Sequence, residues 1–491
     1  MRIAISTNVP AFQNDLGDVV RLFFGEGTAV PAADAEADAA GTLSHLMSEA
    51  DGVWQSHVTL VLDGRRYENT LSQPMQSGTP VETRRLTKRL AKRSAYLALK
   101  TATGRILPWG SLTGIRPTRL FRQQMEGGRT REETRVMFRN DFDVSPDRLS
   151  LLEEILNTQD GYMEQPADTV DLYIGIPFCT TRCSYCSFSS GVIGDGRLVE
   201  PYLSALLTEL RGTADLLSQR GLNVHTLYIG GGTPTSLSAD QLERLLATAA
   251  ESFPEITEWT VEAGRPDTID LAKLSVMRRY PVTRISINPQ SMNDETLAAI
   301  GRAHTAEQCI AAYHLAREMG FTDINMDTIT ALPGEDLDMF RHTLDVIRGL
   351  RPDSLTVHTL AIKHSSKLHE IRYEQRVDEM ILRMADEGRA CAHDLGMRAY
   401  YMYRQKYMAS NLENVGYALP GKICRYNIDN MEETASVLAL GAGGISKRIM
   451  GRDQRILRAP NVSNIETYIA RTDEMIRRKA DMLDAVPENG G

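Results

Sequence analysis

Between residues 170 and 365, short apolar runs alternate with amphipathic stretches. The runs at 171–176, 226–229, 259–262, 284–287, 324–329 and 354–360 have the length of strands. Between them, apolar residues recur every three or four positions, as on one face of a helix. Leu203, Leu206, Leu207, Leu210 and Leu217 make one such stripe. Ser238-x-x-Gln241 and Thr305-x-x-Gln308 have the form of capping boxes at helix starts. Repeated strand–helix units imply a parallel sheet with right-handed crossovers. About six units predict an open partial barrel with its chemistry at the C-terminal strand ends.

The flanks have other patterns. Residues 1–165 predict an α+β extension, with a short strand at 1–6 and a hairpin turning at Asp63-Gly64. A loop is expected over 31–41 and a helix over 83–100, followed by a Gly/Pro-punctuated segment at 107–118 and an acidic helix at 149–156. On the 83–100 helix Arg85, Lys88, Arg89, Lys92 and Arg93 share one face, and Leu86, Leu90 and Leu97 supply part of the other. Residues 371–491 predict a mostly helical C-terminal region, broken at Gly441-Ala442-Gly443-Gly444 and frayed over 487–491. The expected fold class is α/β: the extension at 1–165, a partial (β/α)6 barrel at 166–370, and a helical domain at 371–491.

Composition excludes several classes. With 491 residues, 42% hydrophobic and 24% charged, the chain reads as a multidomain globular protein. No run of 18 apolar residues occurs, so no membrane association is expected, and the first residues lack the apolar core of a signal peptide. The net charge of −9 argues against general nucleic-acid binding. The local excess over 82–139, 15 basic residues against 4 acidic, leaves RNA modification as a reading without a recognisable RNA module. Six cysteines, three of them clustered, point to a cytoplasmic protein that uses thiols for metal or redox chemistry.

The clustered cysteines carry the strongest chemical signal. Ile174-Gly175-Ile176-Pro177-Phe178 leads from the first barrel strand into Cys179-x3-Cys183-x2-Cys186. A structural zinc site needs four ligands, and no fourth Cys or His lies nearby. Three thiolates can hold three irons of a [4Fe–4S] cluster and leave the fourth iron open. S-adenosylmethionine (SAM) can chelate that iron through its amino and carboxylate groups, and reductive cleavage then generates a 5′-deoxyadenosyl radical.

This arrangement resembles the radical SAM superfamily. With Gly230-Gly231-Gly232-Thr233-Pro234-Thr235 after the second strand, the likeness narrows to the oxygen-independent coproporphyrinogen III dehydrogenase (HemN-like) family. Residues 1–165, with Gly-Ile-Arg-Pro-Thr at 114–118, are similar to its HemZ branch. The resemblance implies cofactor contacts by Tyr173, Tyr185, Gly231, Gly232, Thr233, Glu262, Gln290, Arg302, Asp327 and Ala361. The glycines read as backbone with free N–H donors, and ordinary core packing remains open for both tyrosines. Catalytic residues are not assigned.

The resemblance further implies oxidative decarboxylation of coproporphyrinogen III to protoporphyrinogen IX, with a flavodoxin- or ferredoxin-type electron donor and a separate acceptor. A HemN-like methyltransferase, a haem-opening enzyme and a haem-trafficking protein stand as alternatives. Phe188 stands where founding family members have a fourth cysteine, and the 441–447 segment resembles haem-chaperone-like relatives. Arg85, Arg89, Arg93, Arg116 and Arg119 could grip substrate carboxylates, although a solvated helix face is the simpler reading. His358, His364 and His369 form a late histidine group, and Cys424 is a lone thiol.

Overall fold

The computed structural model describes residues 2–25, 27–34, 39–76, 78–114, 116–166, 168–188, 190–363, 366–371, 379–405, 408–450 and 455–486. Ile115, His364 and the 487–491 tail lie outside the described residues, as does part of the 31–41 loop. The chain divides into two compact units. One comprises Met1–Glu153, Glu374–Leu382 and Tyr403–Glu413; the other comprises Glu154–Tyr373, Arg383–Met402 and Asn414–Gly491.

The first unit is built on strands β1 (Ile3–Thr7), β2 (Ala29–Pro31), β3 (Gly41–Ala50), β4 (Val53–Leu62) and β5 (Arg65–Pro74), in the order β2-β1-β3-β4-β5. Asp63 and Gly64 both take positive φ, 50° and 73°, as the expected hairpin turn requires. The helix Pro80–Thr103 starts at a Thr79/Glu82 capping box and stops at Gly104, in the left-handed region. It packs Ala91, Ala95 and Leu99 against Val58 and Leu60. Its basic face is largely paired within the unit. Lys88 and Lys92 reach Asp15 at 3.6 and 3.7 Å, Arg93 reaches Asp141 at 3.2 Å, and Arg89 lies over the Phe142 ring. The 107–114 segment is anchored by Glu413, which accepts from the buried Trp109 indole at 2.6 Å and pairs with Arg148 at 3.0 Å.

The second unit holds the partial barrel. Its strands are β6 (Thr169–Ile176), β7 (Phe178–Cys179), β8 (Gly191–Val192), β9 (Asn223–Gly231), β10 (Glu258–Gly264), β11 (Arg284–Ile287), β12 (Ile324–Thr330), β13 (Ser354–Thr359), β14 (Arg398–Tyr403), β15 (Asn414–Ala418), β16 (Val437–Leu440), β17 (Ile445–Met450) and β18 (Arg455–Pro460). All six expected barrel strands form, in the parallel order β6-β9-β10-β11-β12-β13. Leu172, Ile174, Leu227, Ile229, Val261 and Ile285 are fully buried between the sheet and its helices. The leucine stripe lies buried along helix Val199–Ser218, and both capping boxes close as expected.

The mostly helical reading of 371–491 is corrected by the structure. Helices Glu379–Asp394, Arg425–Glu432 and Thr472–Asp484 are present, but five strands accompany them. β16 adds in parallel to β6, and β17 and β18 follow antiparallel; β15 adds antiparallel to β13, with β14 outermost. Among the described residues the sheet has eleven strands and two edges, so the barrel is open. Burial accounts for the difference. Val437–Leu440 and Asn414–Ala418 are buried at every residue, so they lack the polar alternation that marks a half-exposed strand.

Candidate functional site

The cysteine loop leaves the C-terminal end of β6 and is tied at its base. β7 pairs with β8, the Gly191 N–H reaches Pro177 O at 2.9 Å, and the Ile193 N–H reaches Cys179 O at 2.8 Å. Further ties hold its middle: Ser184 N to Ile300 O at 2.9 Å, Leu368 N to Ser184 O at 3.0 Å, and Thr181 Oγ1 to Gly301 O at 2.9 Å. Thr233 Oγ1 donates to Cys179 Sγ at 3.5 Å, and an Arg265 N–H faces Cys183 Sγ at 4.0 Å. Burial pushes the Cys186 thiol up. The other three cysteines are buried elsewhere. Cys309 and Cys391 lie in helices, and Cys424 sits 3.4 Å from Glu258 at the start of β10, away from that strand's C-terminal end.

The glycine segment presses against this loop. A Cβ on Gly232 would stand 2.6 Å from Phe178 O and 3.0 Å from Cys179 Sγ, and Gly231 has φ of 107°. Only glycine fits so close an approach. The expected free N–H donors are not available here. Gly232 N bonds Ile176 O at 2.7 Å and Thr233 N bonds Phe178 O at 2.8 Å. What the glycines supply is close approach of the backbone to the cysteine loop.

Two carboxylates in contrasting states stand on the barrel strands, Glu262 in the C-terminal half of β10 and Asp327 at the middle of β12. Burial pushes Glu262 up to about 7, although Tyr228 donates to it at 2.6 Å; the Asp327 charge adds to the rise. Burial acts against Asp327 too, but it is outweighed by His358 at 3.7 Å and Asn325 at 2.8 Å, so its carboxyl stays below the usual range. Tyr228 also stacks on Tyr426, ring centroids 4.7 Å apart, and Tyr173 lies parallel to both at 6.3 and 6.4 Å.

Gln290 is held at φ of 67° by bonds from its N–H to Asp327 O and from Ile329 N–H to its carbonyl, both 3.0 Å. Its side-chain oxygen is buried without a partner among the described residues. Arg302 donates to Asn288 O at 2.9 Å and to the Tyr185 hydroxyl at 3.2 Å, leaving its Nε buried and unpartnered. Tyr185 rests its ring on an apolar cluster that includes Ile300, Ile329, Leu360 and Leu368. Ala361 follows β13 between Leu360 and Ile362 of that same cluster.

The site therefore gathers three thiols, a close-approach backbone and unsatisfied polar atoms at one end of a parallel partial barrel. Residues 173–347 match the radical SAM superfamily. Over 405 residues the chain is 40% identical to the Bacillus subtilis protein named oxygen-independent coproporphyrinogen-III oxidase-like protein HemZ, covering 80% of each chain. The chain belongs to this HemN-like family of radical SAM proteins. The Bacillus subtilis heme chaperone HemW is 33% identical over 208 residues, which are 42% of this chain and 54% of that one. The solved Escherichia coli coproporphyrinogen III oxidase HemN, described as a radical SAM enzyme, superposes with a TM-score of 0.52 at 26% identity, over 65% of this chain and 72% of that one.

Radical SAM proteins use a [4Fe–4S] cluster and SAM, and the residues present fit both. Three thiols without a fourth cysteine in the loop suit a cluster with one open iron. The orphaned Gln290 Oε1 and Arg302 Nε are buried polar atoms that a polar ligand would satisfy. Two residues of this radical SAM site escape sequence reasoning. Arg265 donates to Thr181 O at 3.1 Å and pairs with Asp267 at 3.1 Å, while Asp267 accepts from Thr180 Oγ1 at 2.9 Å. Both thereby brace the stretch between Cys179 and Cys183. The Arg-Pro-Asp sequence at 265–267 shows no periodicity or spacing that relates it to the distant cysteines. Of the histidine group, His358 reaches the site, whereas His369 lies in the short helix Lys367–Glu370. Among the described residues, no helix is long and apolar enough to cross a membrane.

Proposed function

We propose that this protein is an oxidoreductase of porphyrin biosynthesis that converts coproporphyrinogen III to protoporphyrinogen IX without oxygen. The observation that carries this reading is the extent of the likeness to HemZ. It spans four fifths of both chains, well beyond the radical SAM segment. When bound, the cluster and SAM supply a 5′-deoxyadenosyl radical that can take hydrogen from an unactivated carbon. In this reading Cys179, Cys183 and Cys186 hold the cluster. Gly231, Gly232 and Thr233 admit SAM against the loop, while Glu262, Gln290, Arg302 and Asp327 bind its polar groups. Tyr173, Tyr185 and Ala361 pack against it. The substrate is a tetrapyrrole, a flavodoxin- or ferredoxin-type protein supplies the electron that cleaves SAM, a separate acceptor takes the electron left on the substrate as carbon dioxide departs, and the thiol ligands suit a reducing cytoplasm.

Phe188, 68% exposed beside Cys186, favours a second reading. Without a fourth cysteine there, the chain fits a haem-trafficking protein akin to HemW. Mass spectrometry separates the two. Anaerobically reconstituted protein with reductant, SAM and coproporphyrinogen III is expected to yield products that have lost one and then two carboxyl groups, together with 5′-deoxyadenosine. Unchanged substrate, no 5′-deoxyadenosine and stoichiometric haem binding would favour the carrier. A methylated or ring-opened tetrapyrrole would assign a different radical reaction to the same scaffold.

A further inference from the structure

At the N-terminal ends of the barrel strands, away from the cysteine loop, a second group of ligand atoms converges. Asp171 lies early in β6, His225 early in β9, and Asp429 in helix Arg425–Glu432; one donor atom from each lies within 4.8 Å of the others. Both carboxylates are fully buried. Asp171 Oδ1 accepts from Thr226 Oγ1 at 2.7 Å, but among the described residues its Oδ2 has no hydrogen-bond partner. His225 Nδ1 is buried and, among the described residues, equally unpartnered. Gln165 donates to Asp429 while its own Oε1 is left buried without a donor.

The charges around this point do not balance. Arg425 pairs with Asp429 at 3.2 Å, and Arg284 is shared between Glu258 at 3.3 Å and Asp323 at 3.0 Å. Asp171 receives one hydrogen bond among the described residues, from the Thr226 hydroxyl, and the Arg425 charge that also acts on it is already paired with Asp429. A buried carboxylate oxygen without a donor is costly, and a cation removes that cost. Burial, reinforced by the Asp429 charge, raises the Asp171 carboxyl, while burial and then Arg425 hold His225 neutral. A neutral imidazole is the form that binds metal.

We propose that Asp171, His225 and Asp429 form a divalent-metal site suited to Zn2+, which fastens helix Arg425–Glu432 to the starts of β6 and β9. Two carboxylates and an imidazole match borderline cations, whereas Mg2+ and Ca2+ prefer oxygen alone. Thr226 on Asp171 and Thr434 on Asp429, each at 2.7 Å, orient the carboxylates as outer hydrogen-bond partners do in metal sites. Gln165 Oε1 or water completes the coordination. His225 is only half-buried and gives the ion a way in.

The test separates this site from the thiols. A Cys179→Ala/Cys183→Ala/Cys186→Ala chain and the cluster-loaded wild type are stripped with chelator, incubated with zinc chloride, desalted and assayed for metal. Both are expected to retain about one zinc per chain beyond any cluster iron. His225→Ala and Asp171→Asn lose it, and Thr226→Val binds roughly 10- to 100-fold more weakly. Cobalt in the triple variant should give visible ligand-field bands that disappear with His225→Ala. Zinc that is not retained, or that His225→Ala leaves unchanged, overturns the proposal. Should Asp171→Asn fail to fold, His225→Ala decides the matter alone. Neither outcome depends on the porphyrin reading.

Discussion

The Tyr228 hydroxyl donates to Glu262 at 2.6 Å, so the acid near the end of β10 faces its site with one oxygen already engaged. Its carboxyl nevertheless ionises only near 7, because burial outweighs the donated bond. Unfolded, the same group ionises near 4.5. Between these values the folded chain holds more protons than the unfolded one, so stability falls as pH rises through that window. Glu262→Gln should flatten the fall by at most roughly 3 kcal/mol, read as urea midpoints of the cofactor-free protein at about pH 5 and about pH 8. An unchanged pH slope would show that Glu262 ionises normally.

The cysteines divide cleanly by position. Cys179→Ala, Cys183→Ala or Cys186→Ala should each abolish the oxygen-sensitive cluster, measured as iron, sulfide and the reduced EPR signal. Cys309→Ala, Cys391→Ala and Cys424→Ala should retain it. Burial pushes the Cys309 thiol up to about 12 and Cys391 up to about 11, which makes both poor thiolate ligands.

Gly232 packs directly against the cysteine loop. Gly232→Ala places a methyl 2.6 Å from Phe178 O, a backbone atom that cannot swing away. The loop must shift, at a cost of about 1–3 kcal/mol. SAM affinity and cluster retention should both fall. Gly349→Ala, where a Cβ meets nothing within 4 Å, is the control.

Arg265 should tune the cluster through Cys183 Sγ, 4.0 Å from its Nη1. A donated N–H stabilises the reduced, more negative cluster. Arg265→Gln should therefore move the midpoint potential negative in an EPR redox titration. It should also slow cluster assembly, because Thr181 O loses a donor and Asp267 its partner. A potential equal to wild type would leave Arg265 as a brace of the loop alone.

The buried Lys479 ammonium donates to Glu209 at 2.6 Å. Glu209 also receives Asn461 at 2.7 Å, Tyr468 at 2.5 Å and the Gly441 N–H at 2.8 Å. Lys479→Met strands the carboxylate and should cost about 3–5 kcal/mol of stability, seen as a lower denaturant midpoint. The double variant with Glu209→Gln should recover part of that loss.

Local pattern carried much of this protein into view. The barrel strands and their capped helices depend on neighbours three or four residues away, and Cys179, Cys183 and Cys186 share one short loop. The strands of 414–418 and 437–440 were not legible, because complete burial erases the alternation that marks a strand. Their state depends on the open edges of β13 and β6, which no local window contains.

The chain's own order of residues thus determined the repeated strand–helix units, the thiol spacing and the family they point to. Tertiary structure alone decided that the Gly232 and Thr233 N–H groups are taken up by Ile176 O at the end of β6 and by Phe178 O, and that burial raises the Glu262 carboxyl to about 7. It also decided that Asp171, His225 and Asp429 converge. Periodicity and capping are short-range and written in adjacent residues. Desolvation and convergence depend on which distant segments exclude water from the same few cubic ångströms, and only the folded chain brings those segments together.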